Sequence, residues 1–310
     1  MPSEHRRHPH ASAIVPASAR SCATVLSRAT VLSYAIVVLC AGTVHAQQTA
    51  TWREWNRPIA PFRIAGPLYY VGMAGVTSLL LTTAEGHILI DAAFPESAST
   101  ILANVRALGF KPEEIRILLS THAHIDHAGG LAAIKAKTRA RLYAGVADAP
   151  ALARGGKADF AFGDDLAFPP VTADVAVEDG GEVKLGEVTI RAIATPGHTR
   201  GCTSWAFTIP DQGRALRVLV VGGTTAPGYQ LVANAKYPTI VSDFEQTFAT
   251  LKAQAPDIFL EGHGFFFALD EKRTGRRSFI DPEGYTSSLA RAESAFRKQL
   301  EEQTAAARSK

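Results

Sequence analysis

Within six consecutive positions, His122-Ala123-His124-Ile125-Asp126-His127, the chain places three histidines and an aspartate. So many metal-ligating side chains on one short segment restrict the fold, because the backbone must present them together at the end of a rigid element. The flanks identify that element. Ile115 to Ser120 reads as a buried strand and Gly130 to Lys137 as a helix, so the ligating residues sit on a strand-to-helix loop. On extended backbone His122 and His124 project to the same side, since side chains alternate with period two. Adjacent Asp126 and His127 reach a second point where the helix begins. Imidazole together with carboxylate suits zinc, and less selectively iron or manganese. One loop is thus expected to seed two metal positions.

The first 46 residues differ from the rest of the chain. They are basic and histidine-containing at the start, apolar from Val31 through Ala41, and end in Val44-His45-Ala46 before Gln47. That pattern predicts a secretory signal peptide over residues 1–46 with export to the periplasm; the apolar run is short for a membrane span. Leu39 is too bulky for a lipoprotein site at Cys40. Removing the segment changes the charge reading, since it carries Arg6, Arg7, Arg20 and Arg28 against Glu4, and the 32 basic and 29 acidic residues become 28 of each. Net charge then gives no case for a nucleic-acid or anionic-membrane surface. Cys22 and Cys40 leave with the segment, so Cys202 stands alone in an apolar run and reads as a buried structural thiol. Ten histidines fall to six: His87, His122, His124, His127, His198 and His263.

Along residues 47–310, expected as a single domain, residues 47 to 66 read as irregular. Leu68 to Val71, Val76 to Thr83 and His87 to Ile90 read as an antiparallel meander, with His87 a partly exposed strand residue and Asp91 a carboxylate able to brace a neighbouring loop. Ser97 to Leu108 has helical spacing and stops at Gly109. Residues 157 to 170 carry Phe160, Phe162 and Phe168 without periodicity, as a lid or as packing. A second β block then runs from Val175-Ala176-Val177 through Leu216 to Val221, succeeded by a helix from Ser242, expected as its N-cap, and a last buried strand Ile258 to Leu260. From Pro282 an amphipathic helix puts Tyr285, Leu289, Phe296 and Leu300 on one face. Two β blocks, each with helices after it, imply two sheets face to face with helices outside.

His198 comes directly after the strand Val188 to Ala194, and His263 after Ile258 to Leu260. Five of the six remaining histidines therefore share one setting, a loop at a strand end. The division this suggests is His122, His124 and His198 around one zinc, with Asp126, His127 and His263 around the other. Three protein ligands each leave open positions, which marks catalytic rather than structural sites.

These segments, with Gly86-His87-Ile88-Leu89-Ile90-Asp91, Gly155-Gly156, Phe162-Gly163-Asp164, Pro169-Pro170, Pro196-Gly197-His198-Thr199, Gly201-Cys202-Thr203-Ser204-Trp205, Ala226-Pro227-Gly228-Tyr229 and Gly262-His263, resemble the metallo-β-lactamase superfamily, and more narrowly its B3 subclass. The resemblance implies an α/β fold, a four-layer αβ/βα sandwich of two mixed β-sheets with helices outside. It implies two Zn2+ ions and hydrolysis of the β-lactam amide bond of penicillins, cephalosporins or carbapenems by a metal-bridging hydroxide, conferring antibiotic resistance. Asp126 would orient the hydroxide, Tyr229 would hydrogen-bond the developing oxyanion, and Thr224 and Thr225 would contact the substrate carboxylate. The partner would be a small-molecule β-lactam and the mature protein a monomer without membrane attachment. Glyoxalase II-like hydrolases and lactonases of the superfamily carry a metal-bridging aspartate where this chain reads Gly222-Gly223-Thr224-Thr225, and the liganding cysteine of B1 enzymes is also missing. Gly223 and Thr225 stand where some B3 members have serines. The alternatives are a lactonase or thioesterase on the same fold, and a noncatalytic exported zinc-binding protein.

Overall fold

Parallel strand pairs need long crossovers, whereas antiparallel ones need only turns, and this difference organises the chain. A computed structural model describes residues 50–309; the expected signal segment lies outside the described residues. Strands β1 (Phe62–Ala65), β2 (Leu68–Tyr70), β3 (Leu79–Thr83), β4 (Gly86–Ile90), β5 (Ile115–Leu119), β6 (Arg141–Gly145) and β7 (Val175–Val177) form a seven-stranded sheet in chain order. Pairs up to β4 are antiparallel and joined by short turns. From β4 onward the pairs are parallel, with α1 (Ala98–Ala107) in the β4–β5 crossover and α2 (Ile125–Ala128) and α3 (Leu131–Thr138) in the next. Helix α4 (Ala149–Ala153) and the aromatic loop make the crossover to β7.

The second sheet has the order β12-β11-β10-β9-β8, from β8 (Glu182–Leu185), β9 (Val188–Ala194), β10 (Thr203–Asp211), β11 (Arg214–Val221) and β12 (Ile258–Glu261). Its one parallel pair, β11 with β12, is bridged by α5 (Ile240–Lys252). The short α6 (Leu269–Arg273) and the long α7 (Pro282–Arg308) complete the described chain.

Alternation along the strands builds the layers. Leu79, Leu81, Ile88, Ile90, Ile117 and Leu119 join Ile190, Ala192, Trp205, Phe207, Val218 and Val220 in one core between the sheets. The intervening Leu80, Leu89 and Leu118 join Ile101 and Val105 of α1 and Leu131 and Ile134 of α3 in a second core. On the far side Phe244 and Phe248 of α5 pack on Phe296 of α7, ring centroids 4.9 and 5.6 Å apart. The architecture is the four-layer α/β sandwich of two mixed sheets that the sequence predicts.

Four local expectations are corrected. Residues 50–55 are helical and β1 pairs with β2, so 47 to 66 is not irregular throughout; Phe62-Arg63-Ile64-Ala65 is too short an alternation to stand out among prolines. Val175-Ala176-Val177 belongs to the first sheet, parallel to β6, not to the second β block. Thr239 rather than Ser242 occupies the N-cap position of α5, without a side-chain capping bond, and the helix begins early enough to bury Ile240. His87 is only 5% exposed, lying under the Phe110 ring at 5.1 Å, and burial pushes its pKa down.

Candidate metal centre

Strands β9, β11 and β12 run in the same direction, which brings the loops after β9 and β12 to one edge of the second sheet. The loop after β5 meets them there: Thr203 N–H donates to Thr121 O at 2.8 Å, and Trp205 Nε1 donates to Ser120 O at 3.2 Å. His122 and His124 lie on this loop, Asp126 and His127 on α2, His198 after β9 and His263 after β12. The ligating atoms of His122, His124 and His198 lie within 4.8 Å of one another, as do those of Asp126, His127 and His263. All six predicted ligands are therefore brought together in the predicted division.

Each cluster fits a metal ion on the chemistry of its donors. His122 Nε2 is buried and has no hydrogen-bond partner, which is costly unless a cation coordinates it. His122 and His124 are held well below the ordinary imidazole pKa, first by burial and then by the neighbouring imidazoles. Burial likewise lowers His198, and His263 falls to about 4 through burial and His127. Neutral imidazoles keep their lone pairs for coordination. Burial pushes Asp126 up, but His127, His263 and His124 outweigh it and hold the carboxyl well below its usual range. Burial pushes His127 down, yet Asp126 and Asp91 raise it to about 10. A divalent cation at this pair displaces the imidazolium proton.

Two buried carboxylates pin the loops. Asp91 accepts from Thr121 N at 2.8 Å and Thr121 Oγ1 at 2.6 Å, and its Oδ2 is 3.5 Å from His127 Nδ1. It braces the neighbouring loop, the role its place at the end of β4 predicts. Asp148 accepts from Ala123 N at 2.9 Å, Thr199 Oγ1 at 2.6 Å and Gly201 N at 2.8 Å, tying the His122/His124 loop to the His198 loop. Sequence reasoning missed Asp148, whose partners lie 25 to 53 residues away and leave no local pattern.

Two glycines make room for ligand rings. A Cβ on Gly223 would stand 2.5 Å from His198 Cδ2, and one on Gly262 would stand 2.6 Å from His127 Cε1. The chain lacks a side chain at 223 where the backbone passes directly against a ligand.

The remaining predicted residues border the site. Tyr229 is 1% exposed, and its hydroxyl donates to the backbone oxygen of His198 at 2.9 Å. Thr225 O faces His198 Nδ1 at 2.7 Å, and Thr224 is buried. Phe162 from the aromatic loop lies 5.8 Å from the His124 ring, while Phe160 packs edge-on to Tyr229 and Tyr237, each at 4.9 Å. Trp55 and Phe265 flank His263 at 4.6 and 5.2 Å. A cavity of about 260 Å³ adjoins the first cluster, lined in part by Ala123, Asp159, Phe160, Thr199 and Arg200. Cys202 is buried and burial pushes its thiol far up, as suits an inert side chain. No helix among the described residues is long and apolar enough to cross a membrane.

Residues 71–211 match the family profile of the metallo-β-lactamase superfamily. A Cronobacter sakazakii metallo-β-lactamase with a HARLDQ motif is 45% identical, with 82% of this chain and 99% of that one covered at a TM-score of 0.79. The subclass B3 metallo-β-lactamase of Bradyrhizobium japonicum is 39% identical over 82% and 98% of the two chains, TM-score 0.77. A Legionella gormanii metallo-β-lactamase is 36% identical over 80% and 98%, TM-score 0.78. Among curated proteins, the hydroxyacylglutathione hydrolase of Rhodopseudomonas palustris is 37% identical over 127 residues, 41% of this chain and 39% of that protein. The match thus spans about two fifths of that relative's length.

Proposed function

Because this chain belongs to the metallo-β-lactamase superfamily and its structural neighbours include subclass B3 enzymes, we propose that it is a B3 metallo-β-lactamase, a zinc-dependent hydrolase of the β-lactam amide bond. The observation that carries this reading is the pair of three-residue clusters, His122/His124/His198 and Asp126/His127/His263, built side by side from separate strand ends. In this reading each cluster holds one Zn2+. Zinc supplies Lewis acidity toward a carbonyl or amide and lowers the pKa of water toward neutrality.

The chain's own residues do the rest. Asp126 accepts a hydrogen bond from the attacking water or hydroxide and so orients it toward the lactam carbonyl, a role suited to a carboxyl held ionised by its histidine neighbours. Thr224 and Thr225 receive the substrate carboxylate at the edge of the first cluster. Tyr229 keeps His198 in place, and serves the developing oxyanion only by exchanging its bond to His198 O. Phe160, Phe162, Trp55 and Phe265 form apolar walls that limit water. The substrate is a small molecule, the protein acts as a monomer in the periplasm after its first 46 residues are removed, and its activity confers resistance to β-lactam antibiotics.

Hydrolysis of a chromogenic cephalosporin by the zinc-loaded protein, lost with a chelator and restored by zinc, is the expected result. Zinc-replete protein without turnover would overturn the reading. A second reading, hydrolysis of hydroxyacyl-glutathione thioesters, is favoured by the name of the Rhodopseudomonas relative. The absence of a carboxylate at Gly222-Gly223-Thr224-Thr225 weighs against it. Faster turnover of such a thioester than of the cephalosporin would establish it.

A further inference from the structure

Each clustered histidine presents one ring nitrogen to its cluster and turns the other outward, and the outward nitrogens of three have an oxygen at hydrogen-bond distance, while that of His127 has no hydrogen-bond partner and faces a carboxylate at longer range. His122 Nδ1 lies 3.0 Å from Thr121 Oγ1, His198 Nδ1 2.7 Å from Thr225 O, His263 Nδ1 3.1 Å from Gly75 O, and His127 Nδ1 3.5 Å from Asp91 Oδ2. His124 breaks the pattern. Its Nδ1 is 3.1 Å from His198 Nε2 and so faces the cluster, which leaves Nε2 outward, buried and without a hydrogen-bond partner. The oxygen that faces this nitrogen is Asp159 Oδ2, 3.9 Å away.

We infer that Asp159 is the positioning residue for His124, the carboxylate that accepts from His124 Nε2–H when a metal ion occupies the first cluster, and that it thereby couples the 157–170 loop to that position. The inference rests on His124 being a metal ligand. Asp159 is preset for the role by its own loop: Oδ1 accepts from Ala161 N at 2.8 Å and Phe162 N at 2.9 Å, and its backbone pairs with Gly163 in both directions at 3.0 and 3.1 Å. Those bonds hold Oδ1 and leave Oδ2 toward His124. The same turn sends the Phe162 ring against the His124 ring. Shortening the gap by about 1 Å makes an ordinary charge-assisted hydrogen bond. Such a partner fixes the tautomer that offers Nδ1 to the metal and raises its basicity.

The experiment compares cobalt(II)-loaded wild type, D159N, D164A and H124A by chelator competition and by the cobalt d–d spectrum. Asparagine at 159 still accepts from Ala161 and Phe162 N–H, so the turn survives while the anionic acceptor is lost. Asp164 braces the same loop through Ala158 N at 2.8 Å without facing His124, so D164A loosens the loop alone. The expected result is roughly 10- to 100-fold weaker binding at one cobalt position in D159N, a shifted spectrum, and a smaller loss in D164A. The proposal is overturned if D159N binds cobalt as wild type does while H124A loses one ion, or if D164A weakens binding as much as D159N. Unchanged cobalt binding in H124A would overturn it together with the assignment of His124 as a ligand.

Discussion

The Tyr229 hydroxyl donates to the main-chain carbonyl oxygen of His198 at 2.9 Å, so a side chain from the 223–229 loop holds the backbone of a residue of the first histidine cluster. Removing that hydroxyl leaves a buried carbonyl unsatisfied, which costs about 1–3 kcal/mol. Tyr229→Phe is expected to lower the thermal midpoint while kcat falls less than about tenfold. A loss of about 100-fold or more in kcat with unchanged stability, the size typical of removing an oxyanion donor, would return the hydroxyl to the reacting oxygen.

Asp126 Oδ2 lies 3.5 Å from His127 Nε2 and 3.4 Å from His263 Nε2. Asp126→Ala removes one of the three donors of the second cluster and leaves two imidazoles facing each other. Zinc content measured after dialysis should fall, and kcat/KM for the cephalosporin should drop by roughly 100-fold or more. Unchanged kinetics would refute the assignment.

At Gly262 a methyl group would meet His127 Cε1 at 2.6 Å and Nε2 at 3.2 Å. Because the opposing atoms belong to a ligand ring, Gly262→Ala should displace that ring, and a misplacement near 1 Å costs on the order of 100-fold in rate. Zinc stoichiometry and kcat should fall together while far-ultraviolet circular dichroism is retained. Wild-type stoichiometry would show that the ring can yield.

Asp281 Oδ2 pairs with Lys272 Nζ at 3.0 Å and Arg277 Nε at 2.8 Å, and Oδ1 caps α7 through Gly284 N at 3.1 Å. Burial pushes this carboxyl up, but Arg277 and Lys272 outweigh it and its folded pKa lies below the ordinary value. A group with a depressed folded pKa contributes stability above its unfolded pKa of about 4, and that stability is lost as the pH falls through the folded pKa. Asp281→Asn keeps the cap but strands the buried Lys272 ammonium, a loss of about 3 kcal/mol. Urea midpoints of metal-free wild type and variant should differ most near pH 7 and converge as the pH falls through the depressed folded pKa. A difference independent of pH would assign the effect to packing.

Much of the fold and of the metal centre is legible in the sequence because it is periodic or local. The alternation in β3, β4 and β5 predicts both faces of the first sheet, and the histidine density of residues 122–127 predicts the site. His198 and His263 are legible because each comes after a strand, beside a glycine. Asp148, Asp159 and the contact of Gly223 with His198 are not, since each acts across loops brought together only by the docked sheets. The assignment of β7 fails for a related reason: a three-residue strand has no signature of the sheet it joins.

The parallel pairing of β12 with β11 has a consequence for the order in which the protein matures. The first cluster has all three of its histidines once the chain has been made as far as His198, whereas the second waits for His263, delivered by a strand that pairs only after α5 has crossed over. Pairing across such a distance is slow compared with local turns. If each cluster holds one ion, as proposed, a chain lacking its last strand is missing a donor for the second, so that the second ion would be a seal of completion and its retention would report that the last strand has docked.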